Sequence, residues 1–298
     1  MTDKAKNMDE QLLRRATEAL ERLAFGAVRR DTRQDQPSPL DAYVWQPERE
    51  ALKPLGHVSR LPLTLLLGVD RPKALLLENT RRFAAGLPAN NALLWGARGM
   101  GKSSLVKAVH GQLSCENRER PLELIEISRT DIASLGTLNE ILAARPAHCL
   151  IYCDDLSFDY DDSAYKSLKT LLDGDLAGRP QNVLFYATSN RRHLMPRDMV
   201  DNEAGSAINP GEAVDEKLAL SDRFGLWLGF HKCDQETYLT MIAGYARHFG
   251  LEMPQETWRA QALEWQVTRG ARSGRVAWQF FQDLAGEQGL KLAPSQGL

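Results

Sequence analysis

The glycine-rich segment Gly96–Ser103 limits the folds open to this 298-residue chain more than any other part of the sequence. It reads GARGMGKS and matches the pattern G-x-x-x-x-G-K-[ST] between a predicted strand, residues 92–95, and a predicted helix. Glycines in such a loop allow backbone N–H groups to surround a phosphate, and the start of the helix adds the positive end of its dipole. The segment therefore predicts a phosphate-binding loop that joins a strand to a helix.

The side chains of this loop predict a nucleotide with a bound magnesium ion. Lys102 is expected to reach the β- and γ-phosphates, and Ser103 offers a hydroxyl to Mg²⁺. The backbone of the loop and of the first helical turn is expected to supply most other contacts. The predicted nucleotide-binding residues are Gly96, Ala97, Arg98, Gly99, Met100, Gly101, Lys102, Ser103 and Ser104.

Around this loop, short apolar runs alternate with helical stretches. Short apolar runs separated by helices are typical of parallel strands that are buried on both faces. The pattern predicts an α/β fold in which a five-stranded, mostly parallel sheet is sandwiched between helices. One further helix is predicted to begin with Asp70 as its N-cap and to end at Gly86. The predicted strands are residues 92–95, 122–127, 149–153, 183–187 and 226–230.

The chain before this α/β domain, which we assign to residues 61–231, has a different pattern. Residues 8–25 have apolar side chains at helical spacing, which predicts an amphipathic helix. Residues 31–62 contain five prolines and mixed charges, which predicts irregular chain. Together these features predict an N-terminal helical extension, residues 1–60.

The chain after residue 230 has the pattern of a helical domain, residues 232–298. Three helices are predicted, at about residues 234–249, 255–267 and 273–286. Asp234 and Ser273 are the predicted N-caps, and Gly250 is a predicted C-cap.

Acidic and polar side chains follow two of the predicted strands. Asp154 and Asp155 come directly after residues 149–153, and Asn190 follows the strand at residues 183–187. Because the carboxyl ends of parallel strands face the nucleotide in such sheets, these groups are expected beside the phosphate loop. We expect Asp154 to hold the metal ion, Asp155 to polarise the attacking water and Asn190 to position it.

These motifs together resemble those of the AAA+ superfamily, with Walker A, Walker B and a first sensor on successive central strands. The resemblance implies ATP and Mg²⁺ as cofactors and a helical lid formed by the C-terminal domain. Residues 221–225 resemble the motif that carries the arginine finger, so Arg223 is expected to act on the nucleotide of a neighbouring subunit. Residues 270–275 resemble the second-sensor motif, in which an arginine of the lid reaches its own subunit's nucleotide. Arg275 is the favoured residue there, and Arg272 is the second choice.

Three segments, residues 90–99, 154–158 and 222–228, are similar to an uncharacterised bacterial family of this superfamily, a domain of unknown function. That resemblance covers about residues 55–290. The Asp154–Asp155 pair departs from the pattern of the superfamily, because most members have Asp-Glu at Walker B. The pair is similar to that of bacterial replication initiators. An aspartate side chain is shorter than a glutamate side chain, so we expect slower hydrolysis.

The resemblance implies an ATPase that couples nucleotide turnover at subunit interfaces to the remodelling of a macromolecule. It also implies a homo-oligomer, with a ring as one arrangement, and a protein or nucleic acid as the client. Two alternatives stay open: a nucleotide-dependent switch with little turnover, and a helicase-loader or initiator-like protein that contacts DNA through its ATPase surface. A monomeric phosphotransferase is disfavoured, because small-molecule kinases usually take their lid from within the α/β core.

The charge balance argues against nucleic-acid binding through a global field, because 37 Lys and Arg residues are matched by 39 Asp and Glu residues. Contact with DNA would need a local basic patch, for which Arg191, Arg192, His193 and Arg197 are the candidates. The longest apolar run, residues 61–67, is far shorter than the ~20 residues of a membrane helix. The charged N-terminus also lacks the apolar stretch of a signal peptide. We therefore expect a cytoplasmic protein without a membrane partner.

Overall fold

The computed structural model describes residues 42–116, 121–158, 163–173, 180–192, 194 and 222–292. The predicted helix over residues 8–25 lies outside this range. The described strands are β1 Ala42–Gln46, β2 Ala51–Pro54, β3 Ala92–Gly96, β4 Leu122–Ile127, β5 His148–Cys153, β6 Val183–Ser189 and β7 Leu226–Phe230. The described α-helices are α1 Asp70–Ala84, α2 Lys102–Glu116, α3 Leu135–Ala143, α4 Ser163–Asp173, α5 Gln235–Phe249, α6 Gln255–Arg269 and α7 Gly274–Glu287. In this part of the chain, no helix combines the length and apolarity needed to cross a membrane.

The strands form a single sheet in the order β2-β1-β4-β5-β6-β3-β7. Neighbouring strands are parallel, except for β1 and β2, which form an antiparallel hairpin. The strands predicted after residue 91 are all present as β3 to β7. They could be recognised because the central ones are buried along almost their whole length, so most of their positions are apolar.

The prediction of five strands is wrong, because the sheet contains seven. The two additional strands, β1 and β2, lie in residues 31–62, which the sequence predicts as irregular chain within a helical extension. Strand β1 pairs in parallel with β4, and Val44 lies opposite Glu126. Trp45 is buried, and its indole N–H donates to Ser134 Oγ at 2.7 Å. β1 has only four apolar residues in a row, Ala42 to Trp45, within a segment rich in proline and charge, and β2 has no apolar run.

The sheet separates two apolar layers, since alternate residues of a strand face opposite sides. On β3, Leu93 packs into one layer, whereas Ala92 and Leu94 pack into the other. The layer around Leu93 is completed by side chains of α3 and α4, and the opposite layer by α1, α2 and the C-terminal helices. Helices therefore cover both faces, as expected for an α/β sandwich.

Three helices, α5 to α7, follow the last strand, each within two residues of its predicted bounds. Asp234 and Ser273 are N-caps, as predicted, and their side-chain oxygens accept from the backbone N–H groups of Thr237 and Val276. Gly250 ends α5 with a left-handed φ of 70°, which a glycine adopts without steric cost.

Helix α1 begins differently from its prediction. Val69 is the N-cap, and Asp70, the predicted cap, is the first residue of the helix. Its carboxylate pairs with Lys73 at 3.0 Å instead of bonding a backbone N–H. A carboxylate in the first turn still interacts favourably with the helix dipole. Gly86 follows the end of the helix with a φ of 74°, as a terminating glycine does.

Candidate nucleotide-binding site

The phosphate loop joins β3 to α2, and its glycines adopt backbone angles that other residues avoid. The φ angles of Gly96, Gly99 and Gly101 are 122°, 73° and 86°. At Gly96 a Cβ atom would lie only 2.1 Å from the carbonyl oxygen of Phe230, at the end of β7. The next residue, Ala97, donates its N–H to that same oxygen at 2.7 Å. The loop is therefore fixed to the carboxyl end of β7 by close backbone packing.

A cleft of about 530 Å³ opens in front of this loop. It lies where β5 and β6 end and α2 begins, and the first turn of α7 closes one side. Three predicted nucleotide-binding residues, Gly96, Ala97 and Met100, are not among the described residues that line the cleft. Met100 is buried behind the loop. The residues that line the cleft are Ser59, Leu61, Arg98, Gly99, Gly101, Lys102, Ser103, Ser104, Lys107, Asp154, Asp155, Thr188, Asn190 and Arg275.

Lys102 is held at the back of this cleft. Its side chain is 7% exposed, and its Nζ donates to the carbonyl oxygens of Gly96 and Ala97, each at 2.9 Å, and to Asn190 Oδ1 at 3.1 Å. Burial lowers the pKa of Lys102, although the charges of Asp154 and Asp155 act in the opposite direction. The ammonium is thus fixed by the loop that it belongs to.

Oδ1 of Asp154 accepts hydrogen bonds from two hydroxyl groups. It accepts from Ser103 Oγ at 2.7 Å and from Thr188 Oγ1 at 2.5 Å. Burial alone would raise the pKa of Asp154, but the hydrogen bonds from Thr188, Ser103 and Tyr152, with the charge of Lys107, outweigh it and hold that pKa below its usual value. The carboxylate is therefore ionised at neutral pH.

The donor set at Asp154 suits a magnesium ion shared with phosphates. Within the described part of the chain, no three His, Cys, Asp or Glu side chains form a cluster that could hold a metal ion by themselves. Mg²⁺ prefers oxygen ligands and is usually held by one or two protein groups together with phosphate oxygens and waters. The Ser103 hydroxyl and the Asp154 carboxylate are such groups, and they lie together beside the phosphate loop.

Asp155 and Asn190 form a second pair at the mouth of the cleft. Asn190 Nδ2 donates to Asp155 Oδ1 at 2.5 Å, so that Asn190 connects Asp155 with Lys102. Asp155 has a left-handed φ of 50°, and its N–H donates to Thr188 Oγ1 at 2.9 Å. This φ is uncommon outside glycine, and such conformations concentrate at functional sites. The backbone geometry therefore places the Asp155 side chain beside Asn190.

The first turn of α7 contacts the phosphate loop. The N–H of Arg275 donates to the carbonyl oxygen of Gly99 at 2.9 Å, and its side chain lines the cleft. A Cβ atom at Gly99 would lie 2.8 Å from Ser273 Oγ, so the two segments touch. Arg272 is not among the described residues that line the cleft, and its charge acts instead on Asp234. Of the two predicted arginines, the structure therefore brings only Arg275 to the site.

Arg223 lies away from this cleft. It comes just before β7, and its Nε bonds the carboxylate of Asp173, at the end of α4. Among the described residues it does not line the cleft. The structure therefore does not bring Arg223 together with the other predicted catalytic residues of the same chain.

The predicted basic patch is only partly within the described residues. The guanidinium of Arg192 packs over the ring of Trp95, 5.3 Å from its centroid. Arg191 is exposed. His193 and Arg197 lie outside the described residues, so the patch as a whole stays a prediction.

Sequence reasoning assigned no role to four lining residues of the cleft, one of which is Thr188 at the end of β6. Ser59 and Leu61 lie in the segment predicted as irregular chain, where no motif marks them. Lys107 lies four positions after Ser103 on α2, and residues four apart on a helix share a face. That spacing was a signal that could have identified Lys107.

The phosphate loop, the acidic pair and the polar end of β6 lie at one edge of a mostly parallel sheet, an arrangement that resembles an AAA+ domain. The chain belongs to the family described as "Protein of unknown function (DUF815)", whose model matches residues 38–288. The uncharacterised family that the sequence motifs suggest is thereby confirmed. No curated protein matches the sequence.

Several solved structures have a similar fold. The ORC1 protein of Aeropyrum pernix, in complex with DNA, has a TM-score of 0.50 and 14% identity, over 80% of this chain and 66% of that chain. Two variants of Thermotoga maritima RuvB have TM-scores of 0.47 and 0.45, with 16% and 14% identity. They cover 80% and 76% of this chain, and 70% and 72% of theirs. At these identities the likeness to ORC1 concerns the fold alone.

Proposed function

We propose that this protein binds ATP with Mg²⁺ and hydrolyses it. The observation that carries the proposal is the convergence of Lys102, the Ser103–Asp154 pair and the Asn190–Asp155 pair on one cleft. These groups come from three separate sequence motifs. A glycine turn with a purely structural role would not need acids and amides from neighbouring strands beside it.

Binding is assigned to the phosphate loop and to the groups around it. Backbone N–H groups of the loop and the ammonium of Lys102 hold the phosphates, and Arg275 adds a second positive charge from α7. Ser103 and Asp154 hold the magnesium ion. When bound, this ion neutralises negative charge on the phosphate oxygens.

Hydrolysis is assigned to Asp155 and Asn190. The Asp155 carboxylate accepts a hydrogen bond from the attacking water, and the Asn190 amide fixes the direction of that carboxylate. Because the carboxylate of an aspartate reaches less far than that of a glutamate, slow turnover is expected.

Replacing Asp155 with asparagine is expected to abolish hydrolysis but to preserve ATP binding. The substitution removes the carboxylate that polarises water, whereas Asp154 remains to hold the cation. General-base groups contribute about 10²-fold or more to a rate, so phosphate release should fall at least that much. Phosphate release and ATP affinity are measured in parallel, with Asp131→Asn as a matched control outside the residues that line the cleft.

A steady-state rate equal to that of the wild type would identify Asp155 as an ordinary loop acid. The same measurement tests the switch alternative. Negligible turnover by the wild type, under conditions in which it oligomerises, would favour a nucleotide-dependent switch over an ATPase.

We further propose that hydrolysis takes place between subunits of a homo-oligomer and drives the remodelling of a macromolecule. The position of Arg223 supports hydrolysis between subunits, because Arg223 lies outside the cleft of its own chain and could contact the nucleotide of a neighbouring subunit. The client is a protein or a nucleic acid. Mass measurement with and without ATP tests the oligomer, and a monomer under both conditions would favour the phosphotransferase alternative.

A further inference from the structure

One wall of the cleft is formed by a segment without regular secondary structure. Residues 57–62 form neither helix nor strand, and two of them, Ser59 and Leu61, line the cleft. The backbone of a helix or strand is fixed by regular hydrogen bonds, whereas an irregular segment depends more on its side chains for its position. Arg60 lies between the two lining residues and is not among the described residues that line the cleft. Its side chain instead contacts α2.

The guanidinium of Arg60 bonds a buried histidine of α2. Arg60 Nη2 lies 2.9 Å from Nδ1 of His110, a residue with 0% exposure. The other ring nitrogen, Nε2, lies 2.7 Å from the carbonyl oxygen of Leu122. Because a carbonyl oxygen can only accept, Nε2 carries the proton, and Nδ1 accepts from Arg60. Burial and the charge of Arg60 lower the pKa of His110 to about 3, so the ring keeps this acceptor at neutral pH.

A glycine of α2 leaves room for this guanidinium. A Cβ atom at Gly111 would lie 2.7 Å from Arg60 Nη1 and 2.9 Å from Arg60 Cδ, which is too close for either pair of atoms. Glycine inside a helix is less favourable than alanine. Helix α2 therefore has its less stable residue at a position where a methyl group would displace Arg60.

We infer that Arg60 is a positioning residue for the nucleotide-binding cleft. Its bond to His110 holds the flanking Ser59 and Leu61 against α2, where they form the wall of the cleft. The inference rests on the proposed function, because it concerns the same cleft. Without this bond the segment also occupies other positions, and the affinity for ATP falls with the fraction of molecules whose wall is in place. The residues assigned to hydrolysis follow β5 and β6, so the rate at saturating ATP should not change.

The test compares Arg60→Ala and Gly111→Ala with the wild type, each as the full chain. ATP affinity is measured by calorimetry with Mg²⁺, KM and kcat by phosphate release, and stability by thermal unfolding. Arg60→Ala is expected to raise KM and the dissociation constant for ATP about tenfold, with an unchanged kcat. Arg60→Lys, which keeps a donor for His110, should restore part of the affinity.

Gly111→Ala separates positioning from general damage to the fold. It should weaken ATP binding as Arg60→Ala does, although its unfolding temperature stays equal or rises. The double variant should lose no more affinity than Arg60→Ala alone, because the methyl group acts only by displacing Arg60. Gly136→Ala, on α3, is the matched control, since a Cβ atom there would meet no described atom within 4 Å. It should bind ATP as the wild type does.

Three results would overturn the inference while the wild type still binds ATP, and they would leave the proposed function untouched. The first is wild-type affinity in both single variants, and the second is a fall in kcat as large as the fall in affinity. The third is additive losses in the double variant. A wild type that does not bind ATP would refute the proposed function and this inference together.

Discussion

Replacing Lys102 with alanine is expected to abolish ATP binding, and with it hydrolysis, while the protein remains folded. The ammonium of Lys102 makes three hydrogen bonds at the phosphate loop, and we propose that it exchanges them for bonds to phosphate oxygens. Each such charge-assisted bond contributes about 1.5–3 kcal/mol. Two of them correspond to a loss of ~10² to 10⁴ in affinity.

The affinity of Lys102→Ala for ATP with Mg²⁺ is measured by calorimetry, and its fold by circular dichroism during thermal unfolding. Lys107→Ala is the matched control, because Lys107 lines the same cleft but lies outside the loop pattern. Lys107→Ala should keep measurable ATP binding, because the substitution removes one positive charge from the cleft but leaves every residue of the phosphate loop in place. Unchanged affinity and hydrolysis in Lys102→Ala would contradict the nucleotide-binding proposal as a whole.

Replacing Arg223 with alanine is expected to reduce hydrolysis by ~10³ or more while ATP affinity within each subunit is retained. Arg223 precedes β7, so it lies at the end of this strand opposite to the phosphate loop, which is fixed to the carboxyl end. An arginine in this position can neutralise developing charge only on the nucleotide of another subunit. The loss should therefore appear in the rate of phosphate release and not in calorimetric binding.

Mixing two inactive variants tests this contact between subunits. Arg223→Ala retains its phosphate loop, and Lys102→Ala retains its arginine. Some interfaces of a mixed oligomer would combine an intact loop with an intact arginine, so part of the activity should return. A mixture that stays inactive although both variants demonstrably assemble together would refute the role of Arg223.

Asp173→Asn provides the control for a structural role of Arg223. The two side chains pair within the chain, and both are partly exposed, so the pair contributes at most about 1 kcal/mol to stability. If Arg223 acts on a neighbour's nucleotide, Asp173→Asn keeps its ATPase rate. If both substitutions lower the rate and the unfolding temperature equally, or if Arg223→Ala hydrolyses ATP normally, Arg223 is a structural ion-pair residue.

The parts of the fold that the sequence predicts are those in which one residue pattern decides the local structure. Strands β5 and β6 are buried along almost their whole length, and their apolar runs have the length of strands and not of helices. The caps at Asp234 and Ser273 follow from single side chains that bond backbone N–H groups three positions later. Most of the residues that line the cleft also lie within the sequence motifs.

The parts that sequence reasoning missed depend on contacts between distant segments. The hairpin of β1 and β2 is stabilised by pairing with β4, almost 80 residues further along the chain. The Thr188 hydroxyl donates a hydrogen bond to Asp154. In the sequence, Thr188 and Asn190 are both polar residues at the end of an apolar strand, so the pattern does not show which of them contacts Asp154.

The β1–β2 hairpin also determines which strand lies at the solvent-exposed edge of the sheet next to β4. Without it, β4 would be the last strand, and its unpaired backbone edge would be open to pairing with another chain. The strand that occupies this position, β2, has four residues, three of them exposed, and ends in Lys53 and Pro54. A short strand with a lysine and a proline is a poor template for further pairing. A shortened protein that begins at residue 61 should therefore aggregate, as light scattering would show, whereas one that begins before Ala42 should stay dispersed.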